Sequence, residues 1–267
     1  MNTDSQPFPS RALGRTGLMV GPLGVSACYG VPASAVERAV DAGMNYLYWG
    51  SLRKEAFAEA IRHLAPSRQR FVLALQSYSP FAWGITRATE RGLRRLGLDY
   101  ADILLLGYWS RPLPRRILDA CDRLKRRGLI RFVGVSTHQR PIVPELMSSG
   151  AVDLVHVRYN AAHRGAETDV FDRIAPRPRP AVVSFTATSW KQLLNPGSVP
   201  PGERVPTAAD CYRFVLSHPA VDVCMTGPGS MAHVEQAIDA VARGPMTEEE
   251  LAWMRRVGDA VRARKKR

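Results

Sequence analysis

Short runs of aliphatic and β-branched residues alternate along this chain with stretches whose apolar positions recur at helical spacing. Eight runs read as strands, at 22–27, 44–48, 71–76, 101–106, 131–136, 152–158, 181–186 and 221–225. The run 101–106 is almost wholly apolar, as a parallel strand covered on both faces should be. Between the runs the period changes. Ile85, Ala88, Thr89, Gly92, Leu93 and Leu96 fall on one helical face, and Ile117, Leu118, Cys121 and Leu124 form a second stripe. Further helices are predicted over 34–42, with Ser34 as N-cap, over 55–63, and up to about Met147. The last helix opens at a capping box, Thr247-Glu248-Glu249-Glu250.

About eight strand–helix units predict an α/β chain folded as a closed (β/α)8 TIM barrel. No Pro/Gly/Ser-rich linker divides it, so one domain over 1–267 is expected. An open doubly wound sheet is the competing architecture, but no G-x-G-x-x-G follows the first strand. In closed barrels the chemistry sits at the C-terminal ends of the strands. That rule selects Tyr48, Gln76, Gly107 with Tyr108, Ser136 with Thr137 and His138, Tyr159 with Asn160, Thr186, and Thr226 with Gly227.

Composition narrows the classes. At 267 residues with 45% hydrophobic and 23% charged positions, the chain has the make-up of a globular domain. No apolar run reaches the roughly 18–20 residues of a membrane span, and residues 1–11 lack a secretory apolar stretch, so a cytoplasmic location is expected. Cys28, Cys121, Cys211 and Cys224 form no C-x-x-C and have no histidine at ligand spacing; reduced, mostly buried thiols and no metal are expected. The net charge of +13 is spread over many helices, with one dense run at 262–267. Aromatic residues do not interleave with the basic ones, which argues against a nucleic-acid platform. A positive field does suit a phosphorylated cofactor.

Five segments carry a more specific signal: RALGRTGL at 11–18, LRRLGLDYADILLL at 93–106, GLIRFVGVS at 128–136, Tyr159-Asn160, and AVDVCMTG at 220–227. In content and order they resemble aldo-keto reductases over nearly the whole chain. The resemblance implies an N-terminal hairpin that plugs the barrel bottom and a C-terminal helix. It also implies NADP(H) lying extended across the mouth, and a tetrad in which a Tyr, helped by a Lys–Asp pair and a His, protonates a carbonyl. This chain departs from that tetrad. Tyr48 stands where the Asp should end the second strand, Arg53 where the Tyr should follow, Gln76 in place of the Lys, and Gly107 in place of the His.

Replacement chemistry is open to Tyr48, Gln76 and His138, the last able to exchange a proton near neutral pH. Tyr48 serves equally as a mouth-lining aromatic, and His138 as a hydrogen-bonded structural residue. On the cofactor side the resemblance assigns Ser136 to the nicotinamide amide. Thr137 replaces an Asn and His156 a Gln, while Phe185 offers a flat ring for stacking, followed by Thr186. The turn GPGSMAHVEQA at 227–237 resembles the adenosine-phosphate loop, with Gly227, Ser230 and Gln236 as candidate contacts. Two function classes follow: an NADP(H)-dependent oxidoreductase acting on an unknown carbonyl substrate with a non-standard acid, or a catalytically inactive barrel that binds a nucleotide or a protein partner.

Overall fold

A computed structural model describes residues 8–50 and 53–264. The first seven residues and the end of the basic tail, Lys265 to Arg267, lie outside that range. The chain opens with a hairpin of β1 (Arg11–Ala12) and β2 (Met19–Val20). Then come β3 (Leu23–Ser26), α1 (Ala33–Asp41), β4 (Tyr46–Trp49), α2 (Glu55–Leu64), β5 (Val72–Ser77), α3 (Ala82–Leu96), β6 (Ala101–Gly107) and α4 (Arg115–Arg126). The second half holds β7 (Ile130–Thr137), α5 (Val143–Ser148), β8 (Leu154–Arg158), α6 (Ala166–Asp169), β9 (Ala181–Phe185), α7 (Ala208–Leu216), β10 (Val223–Thr226), α8 (Met231–Ala242) and α9 (Glu248–Arg264). Strands β3 to β10 pair in parallel and in sequence, and β10 closes onto β3 with Cys224 opposite Leu23.

Each barrel strand is buried on both faces, and alternation sorts its side chains into two clusters. Tyr46, Val72, Ala74, Ile103, Leu105, Leu154, Val183 and Met225 fill the barrel. Leu47, Leu73, Leu104, Val133, Val155 and Val182 point outward against the helices. Leu13 and Val20 of the hairpin join the inner cluster, so the hairpin does plug the bottom. Its turn needs Gly14. The backbone there has φ +52°, and a Cβ would lie 2.6 Å from the Arg179 carbonyl oxygen.

At the bottom rim a polar side chain recurs. Asn45 accepts from the Gly21 N–H (3.0 Å), Asp102 from Leu73 (2.9 Å), Asp153 from Val133 (2.9 Å) and Asp222 from Val182 (2.7 Å). Cations back all three of these carboxylates: Arg68 and Arg131 meet Asp102, Arg15 and Lys125 meet Asp153, and Arg177 and Arg179 meet Asp222.

Two end signals turned out differently. The capping box forms at Thr247 and Glu250, with bonds of 3.2 and 2.9 Å. Helix α1, by contrast, is capped by Pro32 and not Ser34, whose position falls inside the first turn. Pro32 has the fixed, extended backbone a cap requires (φ −62°, ψ 153°), and its carbonyl already accepts from Ala35 and Val36. Among the described residues no helix is long and apolar enough to cross a membrane. Nor is any group of His, Cys, Asp and Glu placed to hold a metal ion.

Candidate active site

Carrying the inner-face alternation one step toward the mouth brings Tyr48, Gln76, Gly107, Ser136, Arg158 and Phe185 to the C-terminal ends of successive strands. Tyr48 and Phe185 pack directly on the inner cluster. The Tyr48 hydroxyl donates to Gln76 Oε1, and the Tyr78 hydroxyl donates to the same oxygen at 3.1 Å. The two phenol oxygens are 3.5 Å apart. Gln76 is 3% exposed, so its amide is a fixed acceptor; Tyr78 is 41% exposed and reaches solvent.

Gly107 explains how this cluster fits. A Cβ there would come within 2.6 Å of Gln76 Nε2, and closer still to the Tyr78 ring. The absent side chain therefore leaves no void: Gln76 and Tyr78 occupy its space. Arg53 joins the cluster from the β4–α2 connection. Its guanidinium donates to the Gln76 carbonyl (2.7 Å) and stacks over Trp49 at 4.8 Å. Burial and then Arg95 depress its pKa, and the phenols of Tyr48 and Tyr78 act in the opposite sense. In sequence Arg53 reads only as a mismatch; in space it is a cation beside two phenols.

An arc of rings continues across the mouth. Tyr78 lies 5.1 Å from Tyr108, Tyr108 stacks on His138 at 5.9 Å, and His138 meets Phe185 edge-on at 5.4 Å. His138 thus sits with the cofactor candidates, on the far side of the arc from Tyr48 and Gln76. Partial burial, then the charge of Arg158, lowers its pKa, so it is neutral at pH 7. Tyr108 and Thr186 both hold φ of 59°, a left-handed backbone that costs non-glycine residues roughly 1–2 kcal/mol. Such strain concentrates at ligand sites.

Below the mouth, His156 is fully enclosed, with Nε2 2.8 Å from the Tyr46 hydroxyl. Burial pushes its pKa down to about 3, so the ring is neutral. Tyr46, also buried, has its pKa pushed up. His156 is therefore committed to the barrel interior and does not present itself at the mouth.

The last loop holds Gly227, Ser230 and Gln236. The Tyr29 ring lies against Gly227 so closely that a Cβ would overlap it. Ser230 caps α8 by accepting from the His233 N–H (3.3 Å), while His233 Nδ1 accepts from the Gly229 N–H (3.2 Å). Gln236 is exposed one turn on.

Residues 32–176 match the family described as the aldo/keto reductase family. The chain belongs to the aldo-keto reductase family. Solved aldo-keto reductases share its fold. One is AKR11C1 from Bacillus halodurans in its holo form, 22% identical, with a TM-score of 0.75 and coverage of 95% of this chain and 97% of that one. Another is an aldo/keto reductase from Klebsiella pneumoniae in complex with NADP and acetate, 21% identical, with a TM-score of 0.75 and coverage of 96% and 95%. Curated relatives include L-galactose dehydrogenase of Arabidopsis thaliana, 26% identical over 54% of each chain. Methylglyoxal reductase DkgA of Yersinia pestis is 25% identical over 44% of each. The chain thus spans about half the length of the curated relatives it matches.

Aldo-keto reductases of this kind imply a nicotinamide dinucleotide, and the residues present fit one at both ends. Ser136 offers a half-exposed hydroxyl and Phe185 a flat ring at the mouth. The capped N-terminus of α8 carries the partial positive charge that suits a phosphate. The position after Ser136 is changed. Thr137 is 1% exposed, its hydroxyl oxygen held by the Gln139 N–H.

Proposed function

We propose that this chain is an NADP(H)-dependent oxidoreductase of a carbonyl substrate, with Tyr48 as the proton donor. The observation that carries the reading is the cluster of Tyr48, Gln76, Tyr78 and Arg53 at the mouth, where two phenols share one fixed acceptor beside a guanidinium. Bound across the mouth, the cofactor supplies the hydride to the carbonyl carbon. Ser136, Phe185 and Thr186 hold its nicotinamide end, and Gly227, Ser230 and Gln236 its phosphate end. Tyr48 turns its hydroxyl from Gln76 to the carbonyl oxygen and gives up its proton there. Tyr78 keeps the Gln76 acceptor satisfied meanwhile. The Arg53 guanidinium favours the phenolate left behind, the part the family gives to a lysine. Tyr78, exposed to water, then returns a proton to Tyr48 across 3.5 Å. A cytoplasmic location and one domain over 1–267 belong to the same reading, as does His138 as a wall of the pocket rather than the acid.

The test is NADPH consumption on a panel of aldehydes and ketones, with cofactor affinity measured by calorimetry. Tyr48→Phe is expected to lower turnover by about 10²–10⁴-fold with cofactor affinity unchanged. Unchanged turnover removes Tyr48 as the acid. The second reading is a barrel that binds nucleotide without reacting. The filling of the Gly107 space by Gln76 and Tyr78 favours it, because no histidine fits there. NADPH binding with no turnover across the panel selects that reading.

A further inference from the structure

Arginines withdrawn from solvent in this fold are matched to a carboxylate or, as Arg11 and Arg53 are, to a backbone carbonyl. Arg68 meets Asp102, Arg140 meets Asp169, Arg164 meets Asp259, Arg179 meets Asp222 and Arg213 meets Glu250. Arg158 breaks the pattern. It is half-buried on the inner face at the C-terminal end of β8, opposite Phe185 across the strand pair. Its Nε is buried with no hydrogen-bond partner, and among the described residues no carboxylate meets the guanidinium. Its guanidinium carbon lies over the half-exposed ring of Trp190, 5.7 Å from the centroid. The surrounding charge is of its own sign: Arg140 and Arg262 add to burial in lowering its pKa.

A buried guanidinium N–H with no acceptor is costly, and an acceptor that arrives with a ligand removes the cost. Its fixed fork of donors matches a carboxylate or phosphate in particular. We propose that Arg158 is an anion-recognising residue of the barrel mouth, and that the ligand taken there carries a carboxylate or a phosphate beside the Ser136–Phe185 wall. This deepens the proposed function, on which it rests for placing a ligand at the mouth. The anionic group belongs either to the reacting molecule or to the cofactor, and the two sources separate experimentally.

The experiment compares wild type with Arg158→Gln, Arg158→Lys and, as an equal charge change on the exposed face of α3, Arg87→Gln. Calorimetry reads the affinity for succinate without cofactor and for NADPH. Turnover reads the ratio of kcat/KM for succinic semialdehyde over butanal, which differ in the carboxylate. Arg158→Gln is expected to weaken succinate binding and to lower that ratio, each by tenfold or more, with Arg87→Gln unchanged and Arg158→Lys intermediate. A tenfold loss confined to NADPH upholds the anion site and assigns the group to the cofactor. If no aldehyde turns over, succinate binding still decides the matter, and the reductase reading alone fails. The proposal is overturned if neither affinity depends on Arg158, including the case in which wild type binds neither probe.

Discussion

Acidification offers a sharp test of the barrel interior through His156. In the folded protein its pKa is about 3, because the ring is wholly buried. In the unfolded chain it returns to about 6.5. A depressed folded value means that the unfolded state takes up a proton first. Stability is therefore complete above about pH 6.5 and is lost as the pH falls from there toward 3. At pH 4.5 the unfolded ring is almost fully protonated and the folded ring almost fully neutral, which costs about 2.7 kcal/mol relative to pH 7.5. At that pH the figure depends almost wholly on the unfolded value. His156→Gln removes the linkage, and its amide can still accept from the Tyr46 hydroxyl. The assay is urea unfolding of both proteins at pH 7.5 and pH 4.5. With a slope of about 3 kcal/mol/M, wild type is expected to lose about 0.9 M more in midpoint than the variant. Taking this difference cancels the other titrating groups, among them His138 and His218, whose pKa values burial also lowers. Parallel losses in the two proteins would refute a buried, neutral His156.

Two further outcomes follow from packing. Asp222→Ala leaves Arg179 buried without its carboxylate and frees the Val182 N–H, so a loss of about 3–5 kcal/mol is expected in equilibrium unfolding. A loss below about 1 kcal/mol would show that the rim bond is replaced by water. Gly107→Ala forces Tyr78 and Gln76 aside; because Tyr78 can swing into solvent, a cost of about 1–3 kcal/mol is expected, together with reduced turnover on any substrate found. Full stability and activity in that variant would mean that Gln76 and Tyr78 do not fill the space.

The strand order and the two-cluster core were legible because both-face burial writes itself as apolar runs of a fixed length. Residues 101–106 are the clearest case, and β6 ends one residue later, at Gly107. Tyr48 and Gln76 were found by the strand-end rule, and they do touch. Arg158 was passed over, although Leu154, His156 and Arg158 share a parity and the first two point inward; alternation alone placed a charge at the mouth. Gly107 and Arg53 read as losses in sequence, since a missing side chain says nothing about what fills its space, and charge proximity across a loop has no period. His138 was grouped with Tyr48 by strand-end position, but the barrel's circumference separates them. The rim residues Asn45, Asp102, Asp153 and Asp222 escaped a reading built on apolar periodicity, although each stands at the foot of a strand.

Those rim bonds also divide the chain. Each ties a strand to the one before it: β4 to β3, β6 to β5, β8 to β7 and β10 to β9. The barrel is thus stitched as successive two-strand quarters; at the seams between them no rim side chain accepts from a strand N–H among the described residues, although the Arg131–Asp102 ion pair spans the β6–β7 seam. New chain ends opened at a seam, as between β8 and β9, cut no quarter, whereas ends opened between β5 and β6 do. A circular permutant is better tolerated at the seam for that reason, and a transplanted quarter carries its own base fastening with it. The mouth lies at the opposite end of every strand, so sequence drift there leaves this stitching untouched, and the same scaffold can outlast the chemistry it carries.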